Sequence, residues 1–152
     1  MSTKMTWRIN SDSSEATENY AEKLGGRLKG GELIELISDL GGGKTTFTRG
    51  LARGIESTNH VSSPTFTISK VYKGKKLTIH HFDFYRLNEP GLIENELADL
   101  IGDDNFVVVV EWPGVVEGIL PESRVSISLK NLGGDSRQIK LKCPEELEYL
   151  RG

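Results

Sequence analysis

A single cysteine, no run of five basic residues and no apolar stretch at the N-terminus set the first limits on this chain. Cys143, beside Pro144, has no second cysteine to pair with in 152 residues. An intrachain disulfide and a cysteine-paired metal site are therefore excluded, and a reducing cytoplasm is the compartment that fits. The first ten residues include Lys4, Thr6, Arg8 and Asn10, which leaves no apolar run for a signal peptide or membrane span, so export is not expected. Nineteen Lys and Arg against 22 Asp and Glu give a net charge of −3. The basic residues are spread along the chain without a tract, which argues against direct, tight duplex binding.

What is present is an ordinary globular composition, 36% hydrophobic and 27% charged, in a length suited to one domain spanning 1–152. Ala16, Tyr20, Leu24 and Leu28 recur at four-residue steps, with Asp12 and Glu15 as a capping pair, and predict an amphipathic helix over 11–29. Gly30 and Gly31 stop it, and the apolar run 32–37 then reads as a buried strand. Phe47, Leu51 and Ile55 predict a second helix over 45–55. Residues 65–72 and 77–85, rich in β-branched and aromatic side chains, read as an antiparallel hairpin turning at Lys73-Gly74-Lys75-Lys76. A helix is expected between 90 and 100, a central strand over 106–110, and a last hairpin of 124–130 and 136–142 before a short terminal helix.

Between the first strand and the second helix stands Gly41-Gly42-Gly43-Lys44-Thr45-Thr46. A triphosphate is highly charged, and glycines let backbone N–H groups approach it. A following lysine reaches the terminal phosphates, a threonine hydroxyl ligates Mg²⁺, and the helix presents its positive end. The pattern G-x-x-x-x-G-K-[ST] is met except at its first position, where Ser38 replaces glycine. Strand, glycine loop and helix in that order are the context this chemistry requires. The expected fold is a P-loop NTPase: a three-layer α/β/α sandwich with a mixed parallel and antiparallel central sheet.

Such a site needs a further carboxylate at the end of a neighbouring strand. Glu111, directly after Val107-Val108-Val109-Val110, and Asp83, within His80-His81-Phe82-Asp83-Phe84-Tyr85-Arg86, are the candidates. Each also has a plainer reading as a strand-end surface carboxylate. His80 and His81 point to opposite faces and lack companions at metal-ligand spacing, so they read as structural. Thr65, in Ser62-Ser63-Pro64-Thr65, lies where a switch loop would sense the terminal phosphate, although a proline turn explains it equally well. Trp112 would cover the mouth of the site or serve as a core aromatic.

Four ordered motifs carry a resemblance: 39–51 around the glycine loop, Ser63-Pro64-Thr65-Phe66-Thr67, His81-Phe82-Asp83-Phe84-Tyr85-Arg86-Leu87, and Glu111-Trp112-Pro113 followed by Leu120-Pro121. Together they resemble the bacterial TsaE family. The resemblance implies an ATPase that supports formation of N6-threonylcarbamoyladenosine at position 37 of tRNAs reading codons that begin with A. TsaB and TsaD are its implied partners, and tRNA is met indirectly through the complex. It further implies that Gly41, Gly42, Gly43, Lys44 and Thr46 bind phosphates and that Thr45 and Glu111 hold Mg²⁺. Asp83 would assist hydrolysis, Thr65 would belong to a switch, and Trp112 to the site rim. Thr17 and Arg137 are matched only loosely, as adenine contacts. The absence of an Asn-Lys-x-Asp tetrad favours adenine over guanine. A small-molecule kinase would need an arginine-rich lid, and no arginine-dense segment occurs. A nucleotide-sensing adaptor without required hydrolysis stays open on these residues.

Overall fold

The computed structural model describes residues 4–38, 42–59, 69–85, 89 and 91–152. Its elements are β1 (Lys4–Ser11), α1 (Ser14–Gly25), β2 (Leu33–Ile37), α2 (Lys44–Gly54), β3 (Ser69–Lys73), β4 (Thr78–Asp83), α3 (Ile93–Leu100), β5 (Phe106–Glu111), β6 (Val125–Gly133) and β7 (Ser136–Pro144). Short 3-10 helices run over Pro113–Ile119 and Glu145–Leu150. The strands form one seven-stranded sheet in the order β1-β7-β6-β2-β5-β4-β3. Its centre, β6-β2-β5-β4, is parallel, while β3 on one side and β7 with β1 on the other are antiparallel. The mixed sheet and the two hairpins expected from the sequence are both present.

The continuous apolar runs of β2 and β5 are explained by burial on both faces. One face carries Ile34, Leu36, Val107, Val109 and Ile127 against Leu24 of α1 and Phe47 and Leu51 of α2. The other carries Leu33, Phe82, Val108 and Val110 against Leu97 of α3 and Val116 of the first 3-10 helix. A 3-10 helix after Trp112 was not foreseen, because Pro113 and two glycines give no helical period.

The N-terminal segment corrects the reading of the first helix. The chain from Lys4 to Ser11 is a strand: Met5, Trp7 and Ile9 pair with Cys143, Leu141 and Ile139 and turn toward the core. The alternating Lys4, Thr6, Arg8 and Asn10 masked that period-2 pattern. The helix consequently starts three residues later than expected. Its cap is Ser13, whose side-chain oxygen accepts from the Ala16 amide at 3.0 Å, and not Asp12 with Glu15.

Helix α1 lies against α2 at backbone contact, and glycine is what permits it. A Cβ on Gly50 would sit 2.3 Å from the Glu18 carbonyl oxygen and 2.5 Å from the Ala21 Cβ, and one on Gly54 would sit 2.4 Å from the Glu22 carbonyl oxygen. Arg53 bridges the same pair of helices through ion pairs to Glu18, at 2.7 Å, and to Glu22. At the opposite end Glu32, 5% exposed, accepts from the Lys29 and Gly30 amides, each at 2.7 Å, and from the Tyr149 hydroxyl at 2.6 Å. Burial, first, and that carboxylate raise the Tyr149 pKa far above its ordinary value, so the phenol stays a donor and ties the C-terminal 3-10 helix to the start of β2.

Gly50→Ala isolates the helix contact. Alanine gains about 1 kcal/mol in helix propensity, yet the clash with rigid backbone outweighs it, and a net loss of about 1–3 kcal/mol is expected in urea unfolding. An unchanged or increased midpoint would show that the two helices do not depend on this approach.

Candidate functional site

Parallel pairing brings three strand ends to one edge of the sheet. Glu111 is in register with Leu36 of β2 and with Asp83 of β4, so both carboxylates leave the sheet beside the end of β2, from which the glycine loop departs. Ligands in open α/β sheets bind outside such carboxyl ends. The loop turns into α2 at Gly43, whose φ of 101° is a left-handed value that suits glycine, and the first helical bond runs from the Phe47 amide to the Gly43 carbonyl at 2.9 Å. Lys44, Thr45 and Thr46 form the first turn, where amides point outward without helical partners.

Lys44 is only 8% exposed, and its Nζ is held from three sides. It donates to the Ser38 carbonyl at 3.2 Å, stands 3.8 Å from Glu111 Oε1, and lies 4.8 Å from the centre of the Trp112 ring. Ser38 thus acts through its backbone, which explains why a side chain at this position leaves the lysine anchored. Trp112 adopts φ 53° and ψ 59°, a left-handed conformation that a bulky residue rarely takes, and its ring lies tilted by 52° against that of Tyr85, with centroids 5.0 Å apart. Both rings are well exposed, which puts them at the rim and not in the core.

Glu111 is 3% exposed, and His81, fully buried on the neighbouring strand, donates from Nε2 to Glu111 Oε2 in a short hydrogen bond. The Tyr72 hydroxyl approaches the other ring nitrogen at 3.5 Å, at the limit of a hydrogen bond. The histidine therefore orients the carboxylate and leaves Oε1 directed at Lys44. Asp83, half-buried, accepts from the Tyr85 amide at 2.9 Å. Burial pushes its pKa up, with the Glu111 charge adding to the rise, while the Tyr85 amide, His81 and Lys44 pull against it.

Gly42, Gly43, Lys44, Thr45, Asp83, Glu111 and Trp112 thus lie about one sheet edge, with Thr46 in the same helical turn. Arg137 joins them from β7: its Nε donates to the Gly42 carbonyl at 3.0 Å, and its Nη1 to the carbonyls of Gly134, at 2.8 Å, and Ser136, at 2.9 Å. It braces the loop against the β6–β7 hairpin. Thr17 is 1% exposed on α1, with its hydroxyl 2.5 Å from that of Ser11, which is itself in register with Arg137. Gly41 and Thr65 lie outside the described residues, as does the rest of Ser62-Ser63-Pro64-Thr65. Sequence reasoning missed His81 and Tyr72. The signal for His81 was its i, i+2 spacing to Asp83, which puts both on one face of β4. His80 faces the other way, edge-on to Phe106 at 4.7 Å, and burial lowers its pKa, as befits the structural role expected of it.

The family model described as "Threonylcarbamoyl adenosine biosynthesis protein TsaE" matches residues 11–139. The chain belongs to the TsaE family. It is 39% identical over 140 residues to a tRNA threonylcarbamoyladenosine biosynthesis protein TsaE of Bacillus subtilis, covering 90% of this chain and 84% of that one. A protein of the same name from Haemophilus influenzae is 37% identical over 110 residues, 72% of this chain and 68% of its own. The crystal structure of YdiB from B. subtilis superposes with a TM-score of 0.76 at 35% identity, over 99% of this chain and 93% of that one. The fold is therefore that of the P-loop NTPases, as the glycine loop implied.

Asp83→Asn tests the electrostatics of this edge. A carboxyl whose folded pKa is raised contributes most to stability below its unfolded pKa and loses that contribution as pH rises through the folded value. Removing the charge should therefore raise Tm by about 1–3 °C near neutral pH, a gain that shrinks toward the ordinary carboxyl pKa of 3.8. A Tm lowered at neutral pH would contradict the burial of this group.

Proposed function

We propose that this member of the TsaE family is the ATP-hydrolysing component of tRNA threonylcarbamoyladenosine formation, acting in the cytoplasm with TsaB and TsaD. The observation that carries the reading is the register match of Asp83 and Glu111 beside Lys44, at the edge where a glycine turn enters α2. Gly41, Gly42, Gly43 and the first-turn amides would cradle phosphate, and Lys44 would exchange its contact to Glu111 for the terminal phosphates. Trp112 and Tyr85, aromatic and at the rim, are suited to cover the nucleotide. Arg137 fixes the loop from behind. Among the described residues no helix is long and apolar enough to cross a membrane.

No group of three or more His, Cys, Asp or Glu side chains placed to hold a metal occurs among the described residues. That fits Mg²⁺, which is usually held by one or two carboxylates together with phosphate oxygens and water. Thr45 and Glu111 are the residues that would hold it, since Glu111 Oε1 is left to the site while Oε2 is taken by His81. When bound, Mg²⁺ would neutralise charge developing on the phosphates. Asp83 is assigned to the attacking water: it is the more accessible carboxylate, and burial raises its pKa, which favours accepting a proton. Thr65 is assigned to sensing the terminal phosphate.

Lys44→Ala should weaken ATP binding by about tenfold or more, measured by calorimetry; unchanged affinity would sink the nucleotide assignment. Glu111→Gln should still bind ATP but lose hydrolysis by about a hundredfold. The wild-type rate should rise on adding TsaB and TsaD, and cells depleted of the protein should lose threonylcarbamoyladenosine. A rate indifferent to both partners, or full modification without the protein, would overturn the role.

A further inference from the structure

The basic residues that look scattered in the sequence are gathered by the sheet. Odd-numbered positions of β1, β6 and β7 turn toward α1 and α2, so the even-numbered ones share the opposite face. On that face stand Lys4 and Arg8 of β1, Lys140 and Lys142 of β7, and Lys130 of β6, with Arg8 in register with Lys140. The positions between them are Ser, Thr, Asn and Gln, and no acidic side chain occurs on this face of the three strands. None of the five is in an ion pair among the described residues. Lys4, Arg8, Lys130 and Lys142 are exposed, and α3 with the first 3-10 helix covers only the β2, β5 and β4 side.

Five cations on one face, none in an ion pair among the described residues, on a molecule of net charge −3 are a directed feature, not a consequence of composition. From strand spacing the patch measures roughly 20 Å along the strands and 10 Å across them. Between the five cations it carries no aromatic side chain for stacking on bases and no large apolar one for entering a membrane, the exposed Leu132 lying beyond Lys130 at the hairpin end, which leaves contact with a phosphate backbone as the chemistry it fits. Glu117 and Glu122 bound it beside Arg124, where a cleft of about 620 Å³ opens. The other end, at Lys130, lies toward the carboxyl edge of the sheet, because β6 runs parallel to β2. There the same hairpin reaches the glycine loop through Arg137.

We propose that the open face of β1, β7 and β6 docks the phosphate backbone of tRNA directly. This rests on the reading of the chain as a tRNA-modification component, and it replaces the expectation that tRNA is met only through the partners. Contact is independent of base sequence and engages Arg8, Lys140 and Lys142 at its centre.

The test compares the full chain with Arg8→Gln/Lys140→Gln/Lys142→Gln and with a charge-matched control, Lys73→Gln/Lys75→Gln/Lys76→Gln, on the exposed β3–β4 turn. Unmodified tRNA is titrated by fluorescence anisotropy from about 50 mM salt upward. The sheet-face variant should lose about tenfold or more in affinity and flatten the slope of log K against log salt by about two, while the control stays within about twofold. All three proteins should bind ATP alike. Equal losses in both variants, or none in either, overturn the proposal. Unchanged tRNA affinity with lost co-elution of TsaB or TsaD also overturns it, assigning the face to an acidic protein surface. If the wild-type chain fails to restore threonylcarbamoyladenosine in depleted cells, the functional reading fails. If the sheet-face variant restores it and binds tRNA normally, only the docking surface fails.

Discussion

A carboxylate sealed inside a protein is costly unless its oxygens are met by donors or cations, and Glu111 is met by both. His81 takes one oxygen and Lys44 faces the other, and neither contact is possible unless β2, β5 and β4 lie side by side in parallel with their ends level. The rest of the molecule serves this alignment. The apolar runs of β2 and β5 can be central only because helices cover both faces. The polar residues cluster where those strands stop, because there the backbone emerges from the covered layer into a crevice.

The two sides of the sheet solve different problems. On one, α1 and α2 approach until glycine hydrogens meet carbonyl oxygens, which holds the start of α2, and with it Lys44, at a fixed height above the strand ends. Arg137 supports the loop from the β6–β7 hairpin by giving its donors to backbone carbonyls. On the other, α3 and the first 3-10 helix shield only the inner strands, so the outer three remain open and carry polar and basic side chains. Glu35 shows where the cover ends. It is buried in the central strand and is balanced by Arg124 at 3.2 Å, which also pairs with Glu117.

Trp112 links the site to its surroundings. Its left-handed backbone turns the chain from β5 into the 3-10 helix and leaves the ring over Lys44 and beside Tyr85. Strain of this kind persists only where neighbouring contacts fix it, and it concentrates at functional sites. The flanking Glu111 and Pro113 leave little freedom to relax it: one is held in the sheet ladder, the other has a fixed φ.

Local chemistry was enough for the glycine loop, for the strands rich in valine and leucine, for both hairpins and for the opposite facing of His80 and His81. Each is settled by residues a few positions apart, through backbone freedom, side-chain period or turn preference. Glu111 and Asp83 were legible as candidates because both close a strand pattern. Their adjacency was not, since it depends on a hydrogen-bond register between segments nearly thirty residues apart. The same holds for His81, which looks structural until the neighbouring strand puts a carboxylate against it, and for β1, whose alternation of polar and apolar residues has meaning only once β7 pairs with it. Thus the sequence by itself determined the phosphate-loop chemistry and the class of fold. Only the tertiary structure decided which charges meet, because long-range strand pairing selects neighbours that no local spacing encodes.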